Sequence, residues 1–318
     1  MHERTAWLPR KVVILGAGAV GSTFAYALAI SGVADEIVIM DKNADLAKGQ
    51  VLDLAHGQPF YPPVQIRVGT SEDFADAQLI VVAAGAKQSP GESRLALLQR
   101  NAQIVREITA DVVQRNAPGV LLIVTNPVDV LTYVAWKHSG WPRSRVIGSG
   151  TVLDSARFRY LLGRHCGVDT QNVHAYVLGE HGDSEVPAWS MTHIAGVPIR
   201  DHCPKCNQCG DWKATHKKIA DEVRDSAYHI IGYKGATNFA VGLALVRIAS
   251  AILRNQHSVL TVSAVLEGEY GLRDVALGVP CVLGQQGIER ILTASLSPDE
   301  QTALEKSAAT LRKAIESV

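Results

Sequence analysis

The chain has 318 residues, 47% of them hydrophobic, and 31 Lys+Arg balance 31 Asp+Glu to a formal net charge of +0. That length suits one elaborated domain or two coupled ones around a large apolar core. The charge balance argues against nucleic acid as the main partner, because phosphate binding normally leaves a basic excess.

Met1–Arg10 lacks an apolar core of signal-peptide length. No apolar run reaches the roughly 18 residues of a membrane span. Ala240–Leu253 comes nearest and carries Arg247. No membrane association and a cytoplasmic location are therefore expected. The five cysteines, an odd number in so long a chain, do not suggest a secretory disulfide framework.

Strands are predicted at Val12–Leu15, Ile37–Met40, Leu79–Ala83 and Val120–Val124, with helical patterns between them up to about Gly148. Continuous apolar strands alternating with helices imply a parallel sheet covered on both faces, a doubly wound α/β domain. Ligand is expected at the carboxyl ends of its strands.

Gly16-Ala17-Gly18-Ala19-Val20-Gly21 follows the first strand and leads into a helix predicted over Ser22–Ser31. Gly16 permits a tight turn, Gly18 lets backbone approach a pyrophosphate, and Gly21 lets helix and strand pack closely; Val20 belongs to the same loop. Asp41 stands 20 residues past Gly21 at the end of the second strand. Its carboxylate would accept from adenosine ribose hydroxyls and repel a 2′-phosphate, so the expected cofactor is NAD.

In the second half, a helix is predicted over Asp154–His165, followed by β-like runs at Ala175–Leu178, Val259–Leu266 and Val279–Leu283 among helical stretches. This reads as a mixed α+β substrate domain. Ser297-Pro298-Asp299-Glu300 opens the final helix with an N-cap serine and a capping-box glutamate. The division is placed at residues 1–149, for dinucleotide binding, and 150–318, for substrate and catalysis. No flexible linker separates them, so the halves should pack tightly.

Tyr176-Val177-Leu178-Gly179-Glu180-His181-Gly182-Asp183-Ser184 offers one imidazole bracketed by glycines and carboxylates. Asp154 and Arg157, three apart, share a helix face. Arg94 follows the turn-rich Ser89-Pro90-Gly91, read as a mobile loop. Taken singly, each residue is also compatible with a satisfied core or solvated surface position. A local Asp154–Arg157 ion pair is the bland reading of that spacing, and an Asn-Pro turn is that of Asn126.

Together with Ala84–Arg94, Thr125–Asp129, Leu153–Tyr160, Gly179–Ser184 and Lys234–Thr237, these motifs make the chain resemble the L-lactate dehydrogenases from Lys11 to the last helix. The resemblance implies a Rossmann NAD domain and reversible hydride transfer between L-lactate and NAD, giving pyruvate. It makes His181 the proton acceptor and donor, and Asp154 the carboxylate orienting it. Arg157 becomes the bidentate grip on the substrate carboxylate, and Arg94 the group brought to the carbonyl oxygen. Asn126 would bond the reacting oxygen or hold the nicotinamide end. Gln88 stands where malate dehydrogenases carry arginine, and Thr237 would line the methyl pocket. A neutral Gln88 would leave a dicarboxylate's second charge unpaired, favouring pyruvate.

By the same resemblance, Arg159 and His174 would bind fructose 1,6-bisphosphate at a subunit interface of an allosteric homotetramer. A malate or longer 2-hydroxy acid dehydrogenase, or a non-catalytic NAD-binding scaffold, remain the alternatives. Cys203-Pro204-Lys205-Cys206-Asn207-Gln208-Cys209 departs from the family pattern. It could ligate zinc with His202 or His216, but it is read as a surface loop of reduced thiols, with no metal expected. Cys166 and Cys281 are read as core or interface residues.

Overall fold

The computed structural model describes residues 9–86, 91–203 and 211–318. The first half contains β1 (Lys11–Leu15), α1 (Ala19–Ser31), β2 (Glu36–Met40), α2 (Ala44–His56), β3 (Gln65–Val68), β4 (Leu79–Val82), α3 (Arg94–Gln114), β5 (Val120–Ile123), α4 (Val128–Ser139) and β6 (Val146–Gly148). The second contains α5 (Val152–Cys166), β7 (Val173–His174), β8 (Val177–Leu178), β9 (Val186–Pro187), β10 (His193–Ile194), β11 (Val197–Pro198), α6 (Ile199–His202), α7 (Trp212–Lys234), α8 (Phe239–Leu253), β12 (Ser258–Glu267), β13 (Arg273–Gly284), β14 (Gly287–Ile291) and α9 (Pro298–Ile315).

A nine-stranded sheet runs in the order β14-β13-β12-β6-β5-β4-β1-β2-β3. Its six N-terminal strands are parallel, and every residue of β1, β4, β5 and β6 is buried. Burial on both faces is why these strands read as unbroken apolar runs. The edge strand β3, Gln-Ile-Arg-Val, is only partly covered and escaped the sequence reading.

β12, β13 and β14 extend the same sheet antiparallel, joined through Ser263 opposite Gly148. One core consequently spans both halves, with Val13, Ile37 and Leu122 in the same cluster as Leu245, Val279 and Leu311. A smaller core of Phe158, Leu162, Val173, Ile194, Ile219 and Val223 joins α5 to α7 and the short strands.

Two expectations need correction. α1 begins at Ala19, with Gly18 as N-cap, so Gly21 sits inside its first turn rather than before it. The run Ala175–Leu178 is not one strand. Ile194 of β10 pairs Val173, whereas Val177 and Leu178 pair Pro187 and Val186, so the chain changes sheets between them. The Ser297–Glu300 capping box on α9 is present as expected.

Candidate active site

The glycine loop lies where β1 hands over to α1. Gly16 has φ +105°, and a Cβ there would lie 2.7 Å from the Ala84 nitrogen. At Gly21 a Cβ would come within 1.8 Å of the Gly16 carbonyl oxygen, so helix and strand approach only because both residues lack side chains. Gly18 differs: its φ of −70° is ordinary, and a Cβ there would meet nothing within 4 Å. The space beside it is open, as a bound phosphate would require. No side chain caps the N-terminus of α1, which leaves its dipole directed at that space beside the half-buried Val20.

Asp41 faces the same loop. Its Oδ2 accepts from the Ala17 N–H at 2.7 Å and its Oδ1 from Asn43 at 2.8 Å, which aims the carboxylate across the loop. The donor set therefore fits a dinucleotide: a glycine cradle, an uncapped helix end, and a carboxylate beside both.

A second group of expected residues lies apart from the glycine loop. A cavity of about 380 Å³ is lined by Arg94, Asn126, Asp154, Arg157 and His181. Five expected residues thus converge on one cleft from two helices and two loops. His181 Nδ1 lies 2.6 Å from Asp154 Oδ2, and Arg157 Nη1 donates to Asp154 Oδ1 at 2.8 Å. The local Asp154–Arg157 pair is present, and Asp154 meets His181 as well, because the two carboxylate oxygens serve different partners. His181 Nε2 and the remaining nitrogens of Arg157 have no hydrogen-bond partner among the described residues.

Local structure explains the placement. Asp154 stands in the first turn of α5 and is buried. Ser155 accepts from the Val177 N–H at 2.9 Å, and Thr151 donates to the Val177 carbonyl, so the start of α5 is clamped to β8. Gly179 then bridges Gly278 through bonds of 2.9 and 2.8 Å. Glu180 N–H donates to Ser307 at 2.8 Å, and His181 N–H to Asp129 Oδ2 at 2.7 Å. Arg94 opens α3, where Ser93 caps the helix by accepting from Ala96 at 3.1 Å, and it stays exposed at the cleft mouth.

Burial works against a charge on His181, but Asp154 in contact and Asp129 behind outweigh it and raise the imidazolium to about 9. Burial likewise opposes ionisation of Asp154, yet His181 and Arg157 hold its carboxyl below the usual range. Burial pushes Asp129 up to about 6, against the pull of the His181 N–H. The imidazole is therefore protonated at neutral pH.

Asp129, Glu185, Arg224, Tyr228 and Asp183 were not singled out by the sequence. Asp129 had a signal, since it sits three residues past Asn126 in a motif already noted. Tyr228 of α7 donates to Asp183 Oδ1 at 2.7 Å and ties that helix to the histidine loop. Nothing in the sequence marks Glu185 as buried.

Thr237 lies between α7 and α8 and is not among the residues lining this cavity. Gln88 lies outside the described residues. Arg159 and His174 share a second cavity of about 480 Å³ with Tyr176 and Arg247, separate from the first. Arg159 Nη2 donates to the Thr170 carbonyl at 3.1 Å, while its Nε is buried without a partner among the described residues. Cys203, expected as a reduced thiol, is disulfide-bonded and buried. Cys206 and Cys209 lie outside the described residues. Cys281 is buried, as expected.

Sequence and structure comparisons agree on a family. The lactate/malate dehydrogenase NAD binding domain matches residues 10–148, and the lactate/malate dehydrogenase alpha/beta C-terminal domain matches residues 151–318. An L-lactate dehydrogenase of Treponema denticola is 59% identical over 306 residues, covering 96% of this chain and 97% of its own. One from Acetivibrio thermocellus is 50% identical over 309 residues, covering 97% of each. The ligands-bound crystal structure of the minor L-lactate dehydrogenase from Enterococcus mundtii superposes with a TM-score of 0.94 at 42% identity, over 97% of this chain and 98% of that one.

Proposed function

Because the chain belongs to the lactate/malate dehydrogenase family, as an NAD-dependent oxidoreductase of the L-lactate dehydrogenase type, we propose that it interconverts L-lactate and pyruvate through the cleft around His181. The observation that carries this assignment is the 2.6 Å contact of His181 Nδ1 with Asp154, which leaves Nε2 without a partner among the described residues and beside the open cavity.

NAD, when bound, would supply the hydride-transfer chemistry. Gly16, Gly18, Val20 and Gly21 would hold the pyrophosphate, Asp41 the adenosine ribose, and Asn126 the nicotinamide end or the reacting oxygen. His181 gives its Nε2 proton to the carbonyl oxygen of pyruvate and recovers it from the hydroxyl of lactate. Asp154 fixes the tautomer and supports the imidazolium. With a pKa raised to about 9, His181 holds its proton throughout the neutral range and releases it only as pH rises through that value. Arg157 grips the substrate carboxylate through its planar fork. Arg94 comes to the carbonyl oxygen, where negative charge develops.

Gln88 selects pyruvate by offering no counter-charge to a second carboxylate, and Thr237 lines the methyl side. Q88R should shift the pyruvate-to-oxaloacetate ratio of kcat/KM towards oxaloacetate by at least about tenfold. An unchanged ratio in NADH-oxidation assays would count against this placement.

We further assign the second cavity, through Arg159 and His174, to fructose 1,6-bisphosphate. Running the same assays with and without the bisphosphate tests this, and an unchanged pyruvate saturation curve would refute it. Tyr26, Ile30, Leu52 and Phe60 form an exposed apolar set on the first half, and Phe239 and Leu243 another on the second. These surfaces support a homotetramer. The functional division falls at 149/150. No helix among the described residues is long and apolar enough to cross a membrane, and a cytoplasmic site of action fits the chemistry.

A further inference from the structure

The catalytic cleft contains a carboxyl group that the roles above leave unused. Glu185 closes the turn after His181, its N–H donating to the Gly182 carbonyl at 3.1 Å. It is only 7% exposed, its Oε1 is buried without a hydrogen-bond partner among the described residues, and it lines the same cavity as Asp154, Arg157 and His181. An arginine lies in the same cavity wall but does not engage it. Arg224 of α7 directs Nη1 to Asp221 Oδ1 at 3.2 Å, and its own Nε is buried without a partner among the described residues. An ionised carboxylate with a buried oxygen that has neither a counter-ion in contact nor a donor is costly; the same group as a neutral acid is tolerated.

Resting on the pyruvate/lactate reading of this cleft, we propose that Glu185 is a positioning residue for the reaction, held as the neutral acid so that the substrate carboxylate meets Arg157 and the His181 imidazolium without a competing anion beside them.

The charges facing Glu185 make the balance explicit. α5 contributes Asp154 and Arg157, the loop His181 and Asp183, α7 Arg224 and Tyr228, and α3 Arg94, with Asp129 of α4 behind His181. Burial and the Asp154 carboxylate favour the proton on Glu185, while His181, Arg224 and Arg157 pull against it. The result is a carboxyl pushed up to about 8.

The group is therefore neutral at pH 7 and ionises as pH rises through about 8. Once charged, it faces Asp154 and competes for Arg157. The same charge would favour the proton on His181, so the loss falls on substrate binding and not on the supply of the acid. Productive pyruvate binding consequently needs two protons, one on His181 and one on Glu185.

The test is the alkaline limb of kcat/KM for pyruvate, measured at saturating NADH on the wild type and E185Q. The wild-type limb should fall with a log–log slope approaching about −2, and the E185Q limb with about −1, because glutamine keeps the shape and cannot ionise. The difference should lie in KM and not in kcat. A slope of about −1 in both proteins would overturn the role, as would equal steepness in E185Q.

Proton uptake by the wild type gives a second readout that does not depend on the variant folding. Adding oxamate, a non-reducible isostere of pyruvate, to the NADH complex at about pH 9.5 should take up more than one proton per site. Uptake of one or fewer contradicts the proposal. Absence of pyruvate turnover in the wild type at every pH would overturn both this role and the reading beneath it.

Discussion

Replacing His181 with asparagine is expected to lower kcat for pyruvate reduction by about a hundredfold to ten-thousandfold, the usual contribution of a positioned acid–base group. The loss should be confined to the chemical step. The proposed NADH-binding groups, the glycine loop and Asp41, lie on separate elements, so a fluorescence titration should give an unchanged Kd. Asp154 retains Arg157 at 2.8 Å in the variant, which limits the penalty of removing its other partner. Steady-state assays and the titration on the same preparation separate these effects. A loss below about tenfold would remove His181 from the acid–base role.

Arg157 carries the second large effect. R157K keeps the charge but loses the planar fork, and with it at least one charge-assisted bond to the substrate carboxylate. Such bonds contribute about 1.5–3 kcal/mol each, so kcat/KM for pyruvate should fall about 10- to 100-fold. Most of the change belongs in KM, because the carboxylate is bound alike in ground and transition states. Lysine also gives up the bond to Asp154 Oδ1, which is buried. A modest fall in kcat should accompany the rise in KM as the His181–Asp154 pair loosens. An unchanged KM for pyruvate would place the substrate carboxylate elsewhere.

How far the sequence revealed this site varied with the range of the interactions. Strands β1, β4 and β5 were legible because a strand covered on both faces must be apolar throughout, as Val120-Leu121-Leu122-Ile123 is. The partners of a strand were not. An apolar run such as Ala175–Leu178 does not encode that Val173 pairs Ile194 while Val177 pairs Pro187. Nor does it encode that β12 joins the parallel sheet through the single pairing of Ser263 with Gly148.

The start of α1 was misplaced because glycine is a poor helix former, yet Gly21 is required inside the first turn by the Gly16 carbonyl. Asp154 and Arg157 were legible through their helical spacing, but their meeting with His181, 27 residues from Asp154, was implied by family resemblance alone. Asp129 supports the His181 backbone across 52 residues of chain, and no local pattern announces such a contact. Glu185 follows two polar residues in a loop and reads as solvated, yet it is buried and lines the cavity that holds His181 and Asp154.

The central claim is that this cleft reduces pyruvate to L-lactate by hydride transfer coupled to the His181 proton. It is tested most directly by resolving the enantiomers of lactate formed from pyruvate and NADH by the wild-type protein. L-lactate equal in amount to the NADH oxidised, with L-lactate and not D-lactate reducing NAD in the reverse direction, is the predicted result. D-lactate as product, or no NADH oxidation with pyruvate, would contradict it.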